Sequence, residues 1–494
     1  MTFKFPGAQT SLAALTVYLC LLIVGLFYSA SALAQEPLLS FTAVSEVEPV
    51  VVDKRDARSA QQVHSVSALA YAASATGLTR NDHSTHLVLG PSTQDLKNVL
   101  LKAVEAAIVR SPQIQRAKAQ QQATDADVEE AEGQRWPQVD LGSQTRAKQF
   151  GGGSEYEQSS GGVNLAVTTM VYDWGRVGKT IDSRKKLSTA AEESVAAENE
   201  NISFEVVTTL VELGKQRIIV DLSQQFANRM EDLVKMLAGI VAVDQGRASE
   251  LTQAKARLLQ ASALRDAAKA KAADARITLR KLLGELPVSI PRNKEWSIRP
   301  ADLQALLEKV QNHPTIRQAS AQAESDELQA EAVHASGRPQ LNWVISKSTA
   351  EDSIGREQPW QTNLSVTWGL FRGGSTRAAE RAALQRAEAS RQEIAHQLQD
   401  LEFRLRTADN DARTQLQRAE LYRDLSVESD RIRAAFFQQW HHLGKRSLLD
   451  VLTAESDHYN NQVNEVSNRF DGYQSVFREY ATAGTLLQWL SSGR

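Results

Sequence analysis

Two long stretches of this 494-residue chain contain no proline: none lies between Pro137 and Pro287, and none follows Pro359. The windows cover 149 and 135 residues. Proline removes a helix hydrogen bond and collides with the preceding turn, so its absence permits uninterrupted helices. Helix formers dominate from Val177 to about Val243 and from Ser375 to about His442. At 1.5 Å per residue, each such helix would extend roughly 100 Å, too long for a small globule. Apolar residues recur in steps of three and four at Ile202, Val206, Leu210 and Leu213, and again at Phe226, Met230, Leu233, Leu237 and Ile240. That spacing is the coiled-coil pattern. Gly246 and Gly444 precede second helices over 247–283 and 446–488, so each long helix is predicted to fold back as an antiparallel hairpin. The glycine is expected to supply the left-handed residue that ends the first arm.

The windows are ordered by an internal duplication. Ser111-Pro112-Gln113-Ile114 matches His313-Pro314-Thr315-Ile316, and Arg135-Trp136-Pro137-Gln138-Val139 matches Gly337-Arg338-Pro339-Gln340-Leu341, both at an offset of 202. Val171-Tyr172-Asp173-Trp174-Gly175 aligns with Leu370-Phe371-Arg372-Gly373-Gly374 at 199, and Gly246 with Gly444 at 198. Length alone would allow about three globular domains; the repeats replace that count with two copies of one unit, 93–286 and 301–490, joined by a linker at 287–300. Each unit reads as helix, strand, strand, very long helix, helix.

The strands are expected at about 137–149 and 161–172 in the first copy and about 339–349 and 359–369 in the second. Alternation is cleanest at 360–368, where Trp360, Thr362, Leu364, Val366 and Trp368 interleave with Gln361, Asn363, Ser365 and Thr367. Such a strand has one apolar and one polar face. A length of about 9–11 residues spans a bilayer when tilted. Trp136, Trp174, Trp343, Trp360 and Trp368 sit in or beside these strands, as a membrane aromatic girdle would place them. The turns at 151–154 and 352–355 are polar. Four strands cannot close a barrel, since single-chain membrane barrels begin at about 8. A membrane-spanning role therefore requires several copies.

At the N-terminus, a single Lys4 precedes an apolar run from Leu12 to Tyr28 and a Ser31-Ala32-Leu33-Ala34-Gln35 ending. This reads as a signal peptide over 1–34, cleaved after Ala34, with an uncleaved membrane anchor as the alternative. Residues 35–92 lack periodicity and read as a poorly ordered extension. The one cysteine, Cys20, lies inside the apolar run, so the mature chain would offer no thiol as nucleophile, metal ligand or disulfide partner. Net charge is -3, which gives no footing for nucleic acid. No phosphate-binding, zinc-protease, hydrolase or dinucleotide motif occurs, so neither an enzyme nor a cofactor is expected. His441-His442, adjacent on a helix end, point about 100° apart and make a poor chelating pair.

The stretch Gly444-Lys445-Arg446-Ser447-Leu448-Leu449-Asp450-Val451-Leu452-Thr453-Ala454-Glu455 resembles the hairpin-tip motif of the TolC family of outer-membrane channel proteins. The resemblance covers nearly all of 93–490, including the duplication. It implies a mainly α fold with membrane β: coiled-coil hairpins forming a periplasmic tube, and four strands per chain contributing to a twelve-stranded barrel in a homotrimer. It further implies a Gram-negative outer-membrane location, contact with outer-membrane lipid, a periplasmic adaptor, and an inner-membrane ABC transporter or efflux pump as partner. By the same resemblance Arg446 ties neighbouring helices at a periplasmic gate and Asp450 forms an acidic ring. His441 stands where the family can carry a tyrosine, and Thr453 where a second acidic ring can follow. The first tip, Gly246-Arg247-Ala248-Ser249-Glu250-Leu251, has no aspartate, so a one-ring gate with weaker cation affinity is expected.

Apart from any family, Arg446 and Asp450 are spaced for an exposed ion pair worth about 0.3–0.5 kcal/mol. The function read from all this is the exit duct of a tripartite export system, leaning towards type I secretion of proteins such as adhesins. A small-molecule efflux duct is the alternative; a periplasmic adaptor would show one hairpin between β-domains, and an envelope-spanning coiled coil would need no strand pairs.

Overall fold

The computed structural model describes residues 93–144, 161–351 and 356–492. The expected signal peptide, the extension 35–92, the 145–149 end of the first strand and the turns at 151–154 and 352–355 lie outside the described residues.

In chain order the elements are α1 (Thr93–Arg110), α2 (Pro112–Gly133), β1 (Gln138–Gln144), β2 (Gly162–Tyr172), α3 (Arg176–Val243) and α4 (Ala248–Leu283), then the inter-repeat linker. The second copy follows as α5 (Leu303–Val310), α6 (Pro314–Ser336), β3 (Gln340–Ser348), β4 (Gln361–Thr367), α7 (Ser375–His441), α8 (Leu448–Thr482) and α9 (Leu486–Ser491). With 68 and 67 residues, α3 and α7 are each roughly 100 Å long at 1.5 Å per residue.

Local chemistry repeats with the sequence. Ser111 Oγ caps α2 by accepting the Ile114 N–H, and at the matching position His313 Nδ1 caps α6 by accepting the Thr315 N–H. Ser188 donates to Asp125 in the first copy and Ser390 to Asp326 in the second, tying each short helix to its long one. Both long helices start from a left-handed glycine, Gly175 at φ 82° and Gly374 at φ 84°. The residue before each is also left-handed: Gly373 at φ 60° and Trp174 at φ 59°. An L side chain there is strained. The Trp174 indole N–H donates to the Pro339 carbonyl at 2.8 Å, and the Arg338 guanidinium lies over its ring, which holds the turn in place.

The hairpins pack as coiled coils, α3 on α4 and α7 on α8. Most of the apolar spacing expected on α3 is its buried face: Ile202, Val206, Leu210, Leu213, Phe226, Met230, Leu233 and Leu237 are enclosed, and Ile240 near the tip is half-buried. Opposite them α4 buries Ala254, Ala261, Ala268 and Ala275, one residue every seven. In α7 the same interval separates Leu405, Ala412 and Ala419. A strict seven-residue repeat winds helices into a left-handed supercoil, and alanine lets the axes approach closely.

One expected helix divides. The 446–488 arm ends at Thr482, Gly484 turns left-handed at φ 65°, and α9 begins at Leu486. A Cβ on Gly484 would lie 2.8 Å from His313 Cδ2, so glycine is required on steric grounds as well. The buried Glu200 carboxylate on α3 accepts the Leu486 and Leu487 N–H groups and so fastens the start of α9.

The linker is bolted into the helices. Trp296 is buried, lies parallel to Tyr473 with ring centres 5.6 Å apart and meets Phe470 edge-on at 5.0 Å. The Trp296 backbone N–H donates to the Tyr473 hydroxyl at 2.9 Å. Gly214 on α3 makes room for it, since a Cβ there would stand 3.2 Å from the indole. Glu479 on α8 accepts the Ala301 N–H just beyond the linker. Trp296→Ala is expected to lower the stability of the helical region by about 3–5 kcal/mol, the usual loss for emptying a buried aromatic site; chemical denaturation followed by circular dichroism measures it.

Burial raises both Glu200 and Glu479 from 4.5 to about 7. Each therefore holds its proton more tightly folded than unfolded. Their contribution is fully present below about pH 4.5 and fades as pH rises through about 7. His313 and His458, lowered by burial, act in the opposite sense below their unfolded value of 6.5. The window free of that opposition lies above it. From about pH 6.5 to about pH 8 the protein should lose thermal stability, and Glu200→Gln/Glu479→Gln should abolish most of the loss.

Candidate functional site

The four strands form one antiparallel sheet in the order β1-β2-β3-β4. Register assembles two faces across it. Val139 opposes Val167 and Leu141 opposes Leu165; Val167 opposes Ile345; Trp343 opposes Leu364, and Leu341 opposes Val366. These side chains make one mainly apolar face, which also carries Thr169, Thr362 and, towards its far end, Lys347. Val139, Leu141, Leu364 and Val366 are exposed at 64–73%, which is unusual for a hydrophobic sheet face in water. Asp140, Asn164, Asn342, Ser346, Asn363 and Ser365 occupy the other face. A sheet with an apolar exterior and a polar interior is the membrane-barrel arrangement.

Trp136 and Trp368 lie at the end of the sheet that passes into the helices, Trp360 marks the opposite end, and Trp343 sits between them, opposite Leu364 at the middle of β4. Two of the indole N–H groups are satisfied locally: Trp343 donates to Thr362 and Trp368 to the Gly337 carbonyl.

At the far end of the long helices stand the two hairpin turns. Gly444 is left-handed at φ 62° and ends α7, with the Lys445 N–H reaching back to the Gln439 carbonyl. Gly246 differs from expectation. It is not left-handed but sits in a short 3-10 turn, Gln245–Arg247. Asp244 makes that turn by accepting the Gly246 N–H, so an aspartate side chain does there what a left-handed glycine does at the second tip.

The Arg446–Asp450 ion pair does not form. Arg446 precedes α8, outside the helical geometry that brings residues four apart together; it donates to Gln439 and lies over the Phe436 ring at 4.2 Å. Asp450 occupies the third helical position of α8 and closes a capping box with Ser447. The Ser447 N–H and hydroxyl both donate to its carboxylate, and Ser447 accepts the Asp450 N–H. Those bonds, with a smaller contribution from the Arg446 charge, hold the Asp450 carboxyl below its ordinary range. It therefore stays anionic at neutral pH and faces outward from the buried Leu448, Val451 and Leu452. His441 closes α7, stacked on Phe437 and edge-on to His442. Among the described residues no cluster of three or more His, Cys, Asp or Glu could hold a metal ion.

Sequence reasoning passed over the group that joins the two hairpins. Glu455, the last residue of the tip motif, is almost completely buried. Its carboxylate receives Arg229 from α3 at 2.9 Å and Arg433 from α7 at 3.4 Å. One turn further, Tyr459 stacks on Phe226 with ring centres 4.6 Å apart and shares a hydrogen bond with Ser223. Arg247 of the first turn lies over the buried Trp440 of α7. The signal available in the sequence was a glutamate on an otherwise apolar stripe, Leu448, Val451, Leu452, Glu455 and Tyr459.

The protein-family model described as outer membrane efflux protein matches residues 103–285 and 306–482, one match per copy. Among curated relatives, the outer membrane efflux protein BepC of Brucella suis is 22% identical over 310 residues, 61% of this chain and 67% of BepC. Among solved structures, the Campylobacter jejuni CmeC outer membrane channel superposes with a TM-score of 0.70 at 15% identity, over 82% of this chain and 91% of CmeC. The Vibrio cholerae outer membrane protein VceC does so with a TM-score of 0.69 at 16% identity, over 80% and 99%. With both repeats matched and the sheet and hairpins in the same arrangement, the chain belongs to the outer membrane efflux protein family, the TolC-type channels of the Gram-negative outer membrane, which are passive conduits and not enzymes.

Proposed function

We propose that three copies of this chain form one export duct, with β1 of each copy pairing β4 of the next to close a twelve-stranded barrel over a helical periplasmic tube. The observation that carries this reading is the sheet itself. It has an exposed apolar face, a polar opposite face and two outer strands bonded on one side only among the described residues. Unpaired strand edges are not tolerated in hydrocarbon. Outer-membrane extracts should therefore contain heat-modifiable trimers, and recovery of monomers alone would overturn the assembly.

The duct works with a periplasmic adaptor and an inner-membrane transporter. The Arg-Ser-Leu-Leu-Asp-Val-Leu version of the tip supports an ABC transporter and type I secretion of proteins. A small-molecule duct is the second reading, favoured by the description of BepC as an efflux protein. Deleting the gene separates them: loss of a secreted polypeptide supports the first, a gain in drug sensitivity the second.

In the closed gate Asp450 of each copy faces the axis as a single acidic ring, while Glu455 holds the α7–α8 hairpin against α3. Asp450→Asn, which keeps a capping side chain, should lower cation selectivity in bilayer recordings; unchanged selectivity would remove the ring. Glu455→Gln weakens charge-assisted bonds worth about 1.5–3 kcal/mol, so resting conductance should rise by at least about tenfold, the factor for 1.4 kcal/mol.

A further inference from the structure

Midway along the tube, α3, α4 and the inter-repeat linker enclose a cleft of about 870 Å³. Arg217 on α3, Lys269 and Arg276 on α4 and Arg292 on the linker line it, with Asp221 as the one carboxylate. The neighbouring buried or half-buried cations of α3 are matched: Lys215 pairs with Glu212 and Asp471, and Arg229 with Glu455. Among the described residues none of the four cleft cations has a carboxylate within 4 Å. Burial, reinforced by the Arg276 and Arg292 charges, pushes the half-buried Arg217 below its ordinary range. Four like charges gathered around a single carboxylate repel, and an anionic occupant would relieve that.

A second observation bears on the shape of the occupant. Residues 287–292 form neither helix nor strand, and among the described residues the Val288, Ser289, Ile290 and Arg292 N–H groups have no hydrogen-bond partner. A backbone segment with free N–H groups can accept main-chain pairing from an added extended chain. Val220 and Val288 supply apolar wall between the charges. A small inorganic anion would fill little of the volume and use neither the wall nor the backbone.

We propose that this cleft is a docking site for an extended acidic segment of a partner polypeptide, whose main chain pairs with residues 287–292 and whose carboxylates meet Arg217, Lys269, Arg276 and Arg292. The site lies on the wall of the duct and does not depend on what the duct conducts.

The test uses the assembled full-length protein in detergent and a fluorescent peptide of alternating valine and glutamate, with a valine–lysine peptide as control. Anisotropy should report binding of the acidic peptide alone, weakening steeply with salt. Affinity should fall at least tenfold in Arg217→Gln/Arg276→Gln/Arg292→Gln. Ser289→Pro, which removes one free N–H without touching charge, should weaken it severalfold. Arg391→Gln, remote from the cleft, should leave it unchanged. The proposal is overturned by absent binding, by unchanged affinity in the triple variant, or by inorganic phosphate displacing the peptide at matched concentration. Binding to dissociated monomers but not to the assembled protein would assign the cleft to a second copy, and would also overturn it.

Discussion

Backbone hydrogen bonds must be satisfied inside a bilayer, and a four-stranded sheet satisfies them on only one side of its two outer strands. In this chain that constraint governs the rest. The apolar face across Val139, Leu141, Leu165, Val167, Ile345, Trp343 and Leu364 calls for lipid, the polar face calls for water, and the outer strands call for further strands. Long hairpins hung from the same sheet then have no choice but to run side by side. In the assembly proposed above they become a tube because the strands above them become a barrel.

Holding such helices together within one chain falls to two kinds of contact. Along their length, alanines at seven-residue intervals on α4 and large apolar side chains on α3 give close packing with little side-chain entropy to lose. At a few points buried polar groups lock the register: Glu455 between two arginines near the tips, Trp296 and Tyr473 at the linker, Glu200 at the start of α9. Breaking a buried ion pair leaves an uncompensated charge, so such a group sets one arrangement of helices more sharply than apolar packing does. Its position near the tips suits a gate, which needs a defined closed state and a localised interaction to release.

The two repeats, four strands and two hairpins were legible because each rests on local periodicity: steps of two, steps of three and four, and the spacing of Pro, Gly and Trp. What was misread rests on geometry between neighbours. Arg446 and Asp450 are four apart in number but only one of them is helical, so the aspartate serves its own helix start. Gly246 looked like its counterpart Gly444, yet Asp244 two residues earlier changed how the turn is made. The arm predicted to continue to 488 breaks at Gly484 because Glu200, almost three hundred residues away, claims the N–H groups beyond it. Glu455 was passed over because its partners come from α3 and α7.

The sequence by itself determined the duplication, the two-faced strands and the length of the helices, since hydrophobic period and proline placement act within one segment. Only the tertiary structure decided which face of each strand aligns with which, what each tip residue touches, and where unmatched charge collects. Those depend on the meeting of segments remote along the chain: Arg217, Arg276 and Arg292 belong to three different elements, and nothing in their spacing foretells a common cleft.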